Sequence, residues 1–135
     1  MPIPSKAPVA PRMLHSREEA LEVLLPLLRE HDSFLVTSHS RPDGDAIGSA
    51  LGTMHLLQSM GKQVTVAFAD PLPQPFRTLP GADRVVSQQP ATPMDVALVL
   101  ECDSVARTGF QQLAGDLLVN IDHHHSGTDY ADVNW

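Results

Sequence analysis

The sequence predicts an α/β fold built on a doubly wound parallel sheet, and three observations predict it. Four short runs are almost uniformly apolar and rich in β-branched residues: Ser33-Phe-Leu-Val-Thr-Ser38, Gln63-Val-Thr-Val-Ala-Phe68, Asp95-Val-Ala-Leu-Val-Leu100 and Asp116-Leu-Leu-Val-Asn-Ile121. Runs without polar alternation are buried on both faces, as in parallel sheets. Helical patterns or long irregular crossovers separate them, as parallel neighbours require. Polar clusters follow the first, third and fourth runs, the position where open α/β sheets bind ligands.

Each element has its own signal. Ser16 to Glu19 reads as a capping box, and Leu21, Leu24, Leu25 and Leu28 then recur at helical spacing, which predicts a helix from Arg17 to Glu30. Pro26 should kink or split it, because proline removes a backbone donor and crowds the preceding turn. From Asp45, the segment AIGSALGTMHLLQSM reads as a second helix ending at Gly61, with small residues in its first turns where it can lie close against the sheet. Asp70 to Pro93 carries six of the 12 prolines and should be mostly loop, with one short turn near Phe76 to Leu79. A short helix is expected between Val105 and Leu113. Numbering the four runs in chain order, the expected strand order is 2-1-3-4, with helices on both faces and the switch point between strands one and three.

Composition bounds the rest. A chain of 135 residues with 42% hydrophobic and 19% charged residues is ordinary for a globular domain, which excludes a disordered or fibrous chain. Residues 1–15, opening MPIPSKAPVAPRM, read as a mobile proline-rich tail, and residues 16–135 as one domain. Nine basic against 16 acidic residues leave a net charge of −7, so a phosphate-bearing substrate needs local positive charge, most simply bound cations. The single cysteine, Cys102, allows no internal disulfide and points to a reducing compartment, and no apolar run reaches the roughly 20 residues that span a bilayer. The expected location is cytoplasmic, with no membrane partner.

The three polar clusters are His39-Ser-Arg-Pro-Asp43-Gly-Asp45, Glu101-Cys-Asp103-Ser104 and Asp122-His123-His124-His125. In a parallel sheet they meet along one edge. Carboxylates gathered there repel one another unless cations neutralise them, and a mixture of carboxylate and imidazole without thiolate suits Mn²⁺, with Mg²⁺ the alternative. Pro42 keeps Arg41 extended, and Gly44 permits a turn that aims Asp43 and Asp45 at neighbouring ions. Asp45, near the start of the second helix, is placed to cap its free donors. Other readings stand beside these. Pro-Asp-Gly alone is ordinary turn chemistry, and three histidines in a row also occur in solvated loops, which is the reading given to His125. Cys102 reads as a small buried side chain rather than a nucleophile. His15, His31 and His55 receive no function. Arg41 either touches phosphate or is solvated. Tyr130 and Trp135 either pack or stack on a base.

HSRPDGDAIGS resembles the first motif of the DHH phosphoesterases, Asp103 fits the lone aspartate of the second, and Asp122-His123-His124 is similar to the triplet that names the family. The run NIDHHHSGTDYADVNW resembles the branch of oligoribonucleotide hydrolases that also act on 3′-phosphoadenosine 5′-phosphate. The resemblance spans residues 16–135. It implies that His39, Asp43 and Asp103 hold one ion, with Asp103 bridging to a second ion held by Asp45 and His123. It further implies that His124 contacts the substrate phosphate and Asp122 orients the histidines. The implied reaction is phosphoester hydrolysis by water activated between the two metals, on a short RNA or other oligonucleotide or on a nucleoside bisphosphate. Family members continue to a fourth motif and a smaller second domain, so the chain is expected to hold an amino-terminal, truncated part of the catalytic unit. The alternatives are an inorganic pyrophosphatase and a non-catalytic metal- or nucleotide-binding fragment. A homodimer is left open.

Overall fold

A computed structural model describes residues 10–124 and 129–135. Six parallel strands form one sheet: β1 (Arg12–Met13), β2 (Ser33–Thr37), β3 (Gln63–Val66), β4 (Met94–Leu100), β5 (Gly115–Ile121) and β6 (Val133–Asn134), in the order β1-β6-β5-β4-β2-β3. The four runs found in the sequence are β2, β3, β4 and β5, and they take the expected relative order. The two short strands carried no periodic signal. Arg12–Met13, within the segment read as a tail, pairs with Val133–Asn134.

Helix α1 (Arg17–Glu30) starts where the capping box put it, with Ser16 Oγ accepting from Glu19 N at 3.0 Å. It runs unbroken through Pro26, contrary to the expected split. Pro26 and Glu22, whose carbonyl loses its donor, both lie on the exposed side of the helix, where water replaces the missing bond. Helix α2 (Gly44–Ser59) is capped by Asp43 rather than Asp45, its carboxylate accepting from Ala46 N at 2.9 Å. The proline-rich crossover holds two short 3₁₀ turns, Gln74–Phe76 and Ala82–Arg84, and a third, Ala106–Thr108, lies where a short helix was expected.

The distribution of helices corrects a second expectation. Residues of α1 (Ala20, Leu24, Leu27) and of α2 (Ala46, Ile47, Ala50, Leu51, Met54, Leu57) pack in one apolar cluster with Phe34, Val36, Val66, Val96, Leu98 and Val119, which point to one face of the sheet. On the opposite face, Leu35, Ala67, Ala97 and Val99 pack with Cys102, Leu113 and Ala114, flanked by Val105, Phe110 and Tyr130. Among the described residues, then, both α-helices share a face, and the 102–114 connection covers the other. The alternation of even and odd strand residues between the two clusters follows from the two-residue period of a strand.

One side chain fixes the lower ends of two neighbouring strands. Asp95 Oδ2 accepts from Asp32 N at 2.8 Å and Ser33 N at 3.2 Å, while Asp95 N donates to Ser33 Oγ at 2.8 Å. The Asp32 and Ser33 amides hold the Asp95 carboxyl below its ordinary value of about 3.8. A depressed folded-state value means that the stabilisation is complete above pH 4, where the unfolded carboxylate is also ionised, and is lost as pH falls through the folded value. Asp95→Ala is expected to destabilise the fold by about 1 kcal/mol at pH 7, allowing for solvent screening, and by less near pH 3. Urea titrations at the two pH values check this; an equal loss at both would remove the carboxylate from the account.

Candidate metal centre

Register brings the site together. Thr37 pairs with Val99 and Leu100 with Ile121, so Glu101 and Asp122 leave the sheet level with one another and Ser38 leaves it level with Leu100, one step before them. Ser38 Oγ, buried, donates to Leu100 O at 2.5 Å and locks the ends of β2 and β4 to one another. Beyond these ends lies a cleft of about 220 Å³ lined by His39, Asp43, Glu101, Cys102, Asp103, Arg107 and His124. All three polar clusters of the sequence contribute to it.

The first cluster is shaped by backbone bonds. His39 Nδ1 lies 2.8 Å from Ser40 O, and because a carbonyl only accepts, Nδ1 carries the proton. In the neutral ring Nε2 then carries the lone pair, 3.7 Å from Asp43 Oδ1. Asp43 thus serves α2 and the cleft with one carboxylate. Asp45 sits in the first turn of α2, exposed, and does not line the cleft. Arg41 is exposed also, and its backbone is left-handed, at φ 50°, instead of the extended form expected before Pro42.

The second cluster opens with another left-handed residue, Glu101 at φ 56°. Its N–H donates to Ile121 O at 3.0 Å, and the carbonyl of the following Cys102 accepts from Asn120 Nδ2 at 3.1 Å and Tyr130 Oη at 3.0 Å. Tyr130 therefore braces this turn, and burial pushes its hydroxyl far above the ordinary range. Cys102 is buried, and burial raises its thiol too, which keeps it protonated and fits the packing role. Asp103 Oδ2 stands 3.9 Å from Arg107 Nη1.

In the third cluster Asp122 Oδ1 receives both His124 N at 3.1 Å and His124 Nδ1 at 2.5 Å. That hydrogen bond first, and the Asp122 charge second, push the His124 imidazole above its ordinary value. His123 does not line the cleft itself; its Nε2 lies 2.7 Å from Glu101 Oε2, which does. His125 lies outside the described residues. Trp135 is exposed, beside a separate cleft shared with His15, Asp122 and His124.

The donor set fits a divalent cation. Donor atoms of Glu101, Asp122, His123 and His124 lie within 4.8 Å of one another, and Asp122 Oδ2 is buried without a hydrogen-bond partner. Glu101 Oε2 is also buried and takes no well-aligned hydrogen bond, its 2.7 Å approach to His123 notwithstanding. Buried carboxylate oxygens left in that state are stabilised by positive charge. Glu101 was quoted in the second cluster but given no role from sequence; an acid directly after a fully buried strand was the available signal. Arg107 was not anticipated, since it stands in a connection without pattern.

Comparison with known proteins gives the family and the fold. The description "DHH family, N-terminal domain" matches residues 33–135. Among curated relatives, a probable bifunctional oligoribonuclease and PAP phosphatase from Streptococcus mutans is 27% identical over 86% of this chain and 37% of its own length. The bifunctional oligoribonuclease and PAP phosphatase of Bacillus subtilis is 28% identical over 83% of the chain and 36% of its own, and that of Thermus thermophilus 36% identical over 66% and 27%. The crystal structure of an exopolyphosphatase-related protein from Bacteroides fragilis superposes with a TM-score of 0.80 at 24% identity, covering 87% of this chain and 38% of that one, which shows the shared fold. The match thus spans between about a quarter and little more than a third of the length of these relatives.

Proposed function

The chain belongs to the DHH family, and from that premise we propose that its parent protein hydrolyses phosphoester bonds in short oligonucleotides or nucleoside bisphosphates with the help of two divalent cations, manganese in preference to magnesium. The observation that carries this reading is the meeting of His39, Asp43, Asp103 and His124 around one cleft at the carboxyl ends of β2, β4 and β5. The names of the curated relatives, oligoribonuclease and PAP phosphatase, support the substrate class.

By the family resemblance His39, Asp43 and Asp103 would hold one ion, and Asp103 together with Asp45 and His123, which stand outside the cleft lining, a second. Bound there, the cations supply Lewis acidity: they neutralise phosphate oxygens and lower the pKa of the attacking water. The remaining work falls to the chain. The Ser40 carbonyl keeps a proton on His39 Nδ1, so in the neutral ring Nε2 carries the lone pair that would ligate. Asp122 holds the His124 ring and favours its protonated form, which suits it to receive a phosphate oxygen. Ligation by His123 would cost its contact with Glu101 Oε2. Arg41, exposed at the mouth of the first cluster, adds positive charge for the substrate backbone. The protein works in the cytoplasm, a reading supported by a sole cysteine that is buried and unpaired. Among the described residues no helix is long and apolar enough to cross a membrane.

The test supplies the parent protein with Mn²⁺ and compares a ribodinucleotide, 3′-phosphoadenosine 5′-phosphate and pyrophosphate. Multiple turnovers on either nucleotide, with pyrophosphate far slower, are expected. Faster release of phosphate from pyrophosphate would replace the reading by a pyrophosphatase. Calorimetric Mn²⁺ binding without turnover of any of the three would reduce the protein to a binding module.

A further inference from the structure

We infer that Asp70, a residue outside the three clusters, is a positioning residue for the candidate centre: through the backbone N–H of Arg41 it sets the distance between His39 and Asp43. The inference rests on the reading above, in which both of those side chains hold a cation.

Between His39 and Asp43 the chain must leave β2, reverse, and enter α2. It does so at Arg41, whose φ of 50° is a left-handed conformation that a residue with a β-carbon adopts only against an energetic bias. Such residues persist where the surroundings overdetermine them. Here the surroundings are two clamps on consecutive amides. Ser40 N donates to Arg107 O at 2.6 Å, from the 102–114 connection. Arg41 N donates to Asp70 Oδ2 at 2.7 Å, from the end of the chain leaving β3. The second bond is charge-assisted and therefore the stronger kind. Pro42, next along, is buried, and Asp43 is tied to Ala46 N, so the segment downstream of Arg41 cannot take up a shift. Upstream, His39 Nδ1 is bonded to Ser40 O, so any rotation about Ser40 and Arg41 carries the imidazole with it. A loosened Arg41 amide is thus converted into a displaced His39 Nε2. Neither the Arg41 nor the Asp70 side chain needs to touch a cation for this to matter.

Glycine adopts φ near +50° without penalty, which gives the inference a specific signature. Four forms of the protein are compared by Mn²⁺ calorimetry: wild type, Asp70→Ala, Asp70→Asn, and Asp70→Ala combined with Arg41→Gly. Asp70→Ala is expected to weaken Mn²⁺ binding by about tenfold, the range seen when groups behind metal ligands are removed. Asp70→Asn keeps an acceptor oxygen and should stay within about threefold of wild type. Adding Arg41→Gly to Asp70→Ala should recover most of the loss, because the glycine holds the turn without a clamp. Amide hydrogen exchange of the 39–43 segment and the His39 ring resonances are recorded without metal, and both should move in Asp70→Ala and return in the double variant. Unchanged Mn²⁺ affinity together with unchanged His39 resonances in Asp70→Ala would overturn the inference, as would failure of Arg41→Gly to recover either. If the wild type binds no Mn²⁺, the metal reading of the site fails, and the exchange and resonance measurements still decide the role of Asp70.

Discussion

Asp43→Ser is expected to leave the thermal midpoint of the protein almost where it stands and to lower metal-dependent turnover by more than a hundredfold. The two halves of that result come from the two duties of one carboxylate. As the cap of α2, Asp43 accepts from Ala46 N at 2.9 Å, and serine does the same work at an N-cap. As a member of the cleft, its Oδ1 faces His39 Nε2 at 3.7 Å, and a hydroxyl offers a cation neither the charge nor the second oxygen. Replacing groups that merely support a ligand already costs about 10- to 100-fold, so removing a ligand itself should exceed that range. Asp43→Ala adds the loss of the cap, about 1 kcal/mol, which for a chain of this size lowers the midpoint by on the order of 4 °C. Calorimetric melting and initial rates on a dinucleotide separate the two effects. Full activity in Asp43→Ser would remove this carboxylate from the catalytic machinery.

Gly115→Ala should be the most destabilising small substitution in the sheet. Gly115 opens β5 opposite Met94, and a β-carbon built there would stand 2.5 Å from Ala97 N, 2.6 Å from Ala97 Cβ and 3.0 Å from Ala97 Cα. Two of the three atoms are backbone of β4, and Ala97 is wholly buried, so no flexible side-chain end can move aside. One of the two central strands must shift. We expect a loss of about 3 kcal/mol, the upper part of the range for overpacking. Ala97→Gly in the same molecule removes one of the three clashes and should restore less than half of it. Equilibrium unfolding in urea measures both; wild-type stability for Gly115→Ala would mean that β4 and β5 do not approach as closely as described.

What was legible in the sequence divides along physical lines. Strands β2 to β5 announced themselves as short apolar, β-branched runs, most clearly in the largely buried β2 and β4, and their parallel run followed from the helical or long crossovers between them. Strands β1 and β6 are two residues each, too short for any period to register, and their pairing depends on contacts across the whole chain. Asp45 was the expected helix cap and Asp43 is the observed one, because both precede the helix and only the backbone decides which carboxylate reaches Ala46 N. Pro26 does not split α1, since its side of the helix faces water. At the candidate centre, His39, Asp43, Asp103 and His124, which the sequence singles out, line one cleft, because each belongs to a cluster that follows a parallel strand end. Asp45, His123 and Arg41 do not line it. Glu101 and Asp70 were passed over for a shared reason: each acts through a partner distant in sequence, His123 for the one and the Arg41 amide for the other.

The pairing of Arg12–Met13 with Val133–Asn134 bears on how the molecule assembles. Closing so long a stretch of chain carries a large entropic penalty, and two residues of ladder recover little of it. The inner four strands can collapse around their helices first, with β6 and then β1 added as the final zippering steps. That margin of the sheet is accordingly where unravelling should begin. Because β6 is flanked by Asp122, through the bond from Asp122 N to Trp135 O, early fraying there would reach the DHH triplet before the rest of the molecule has lost its shape.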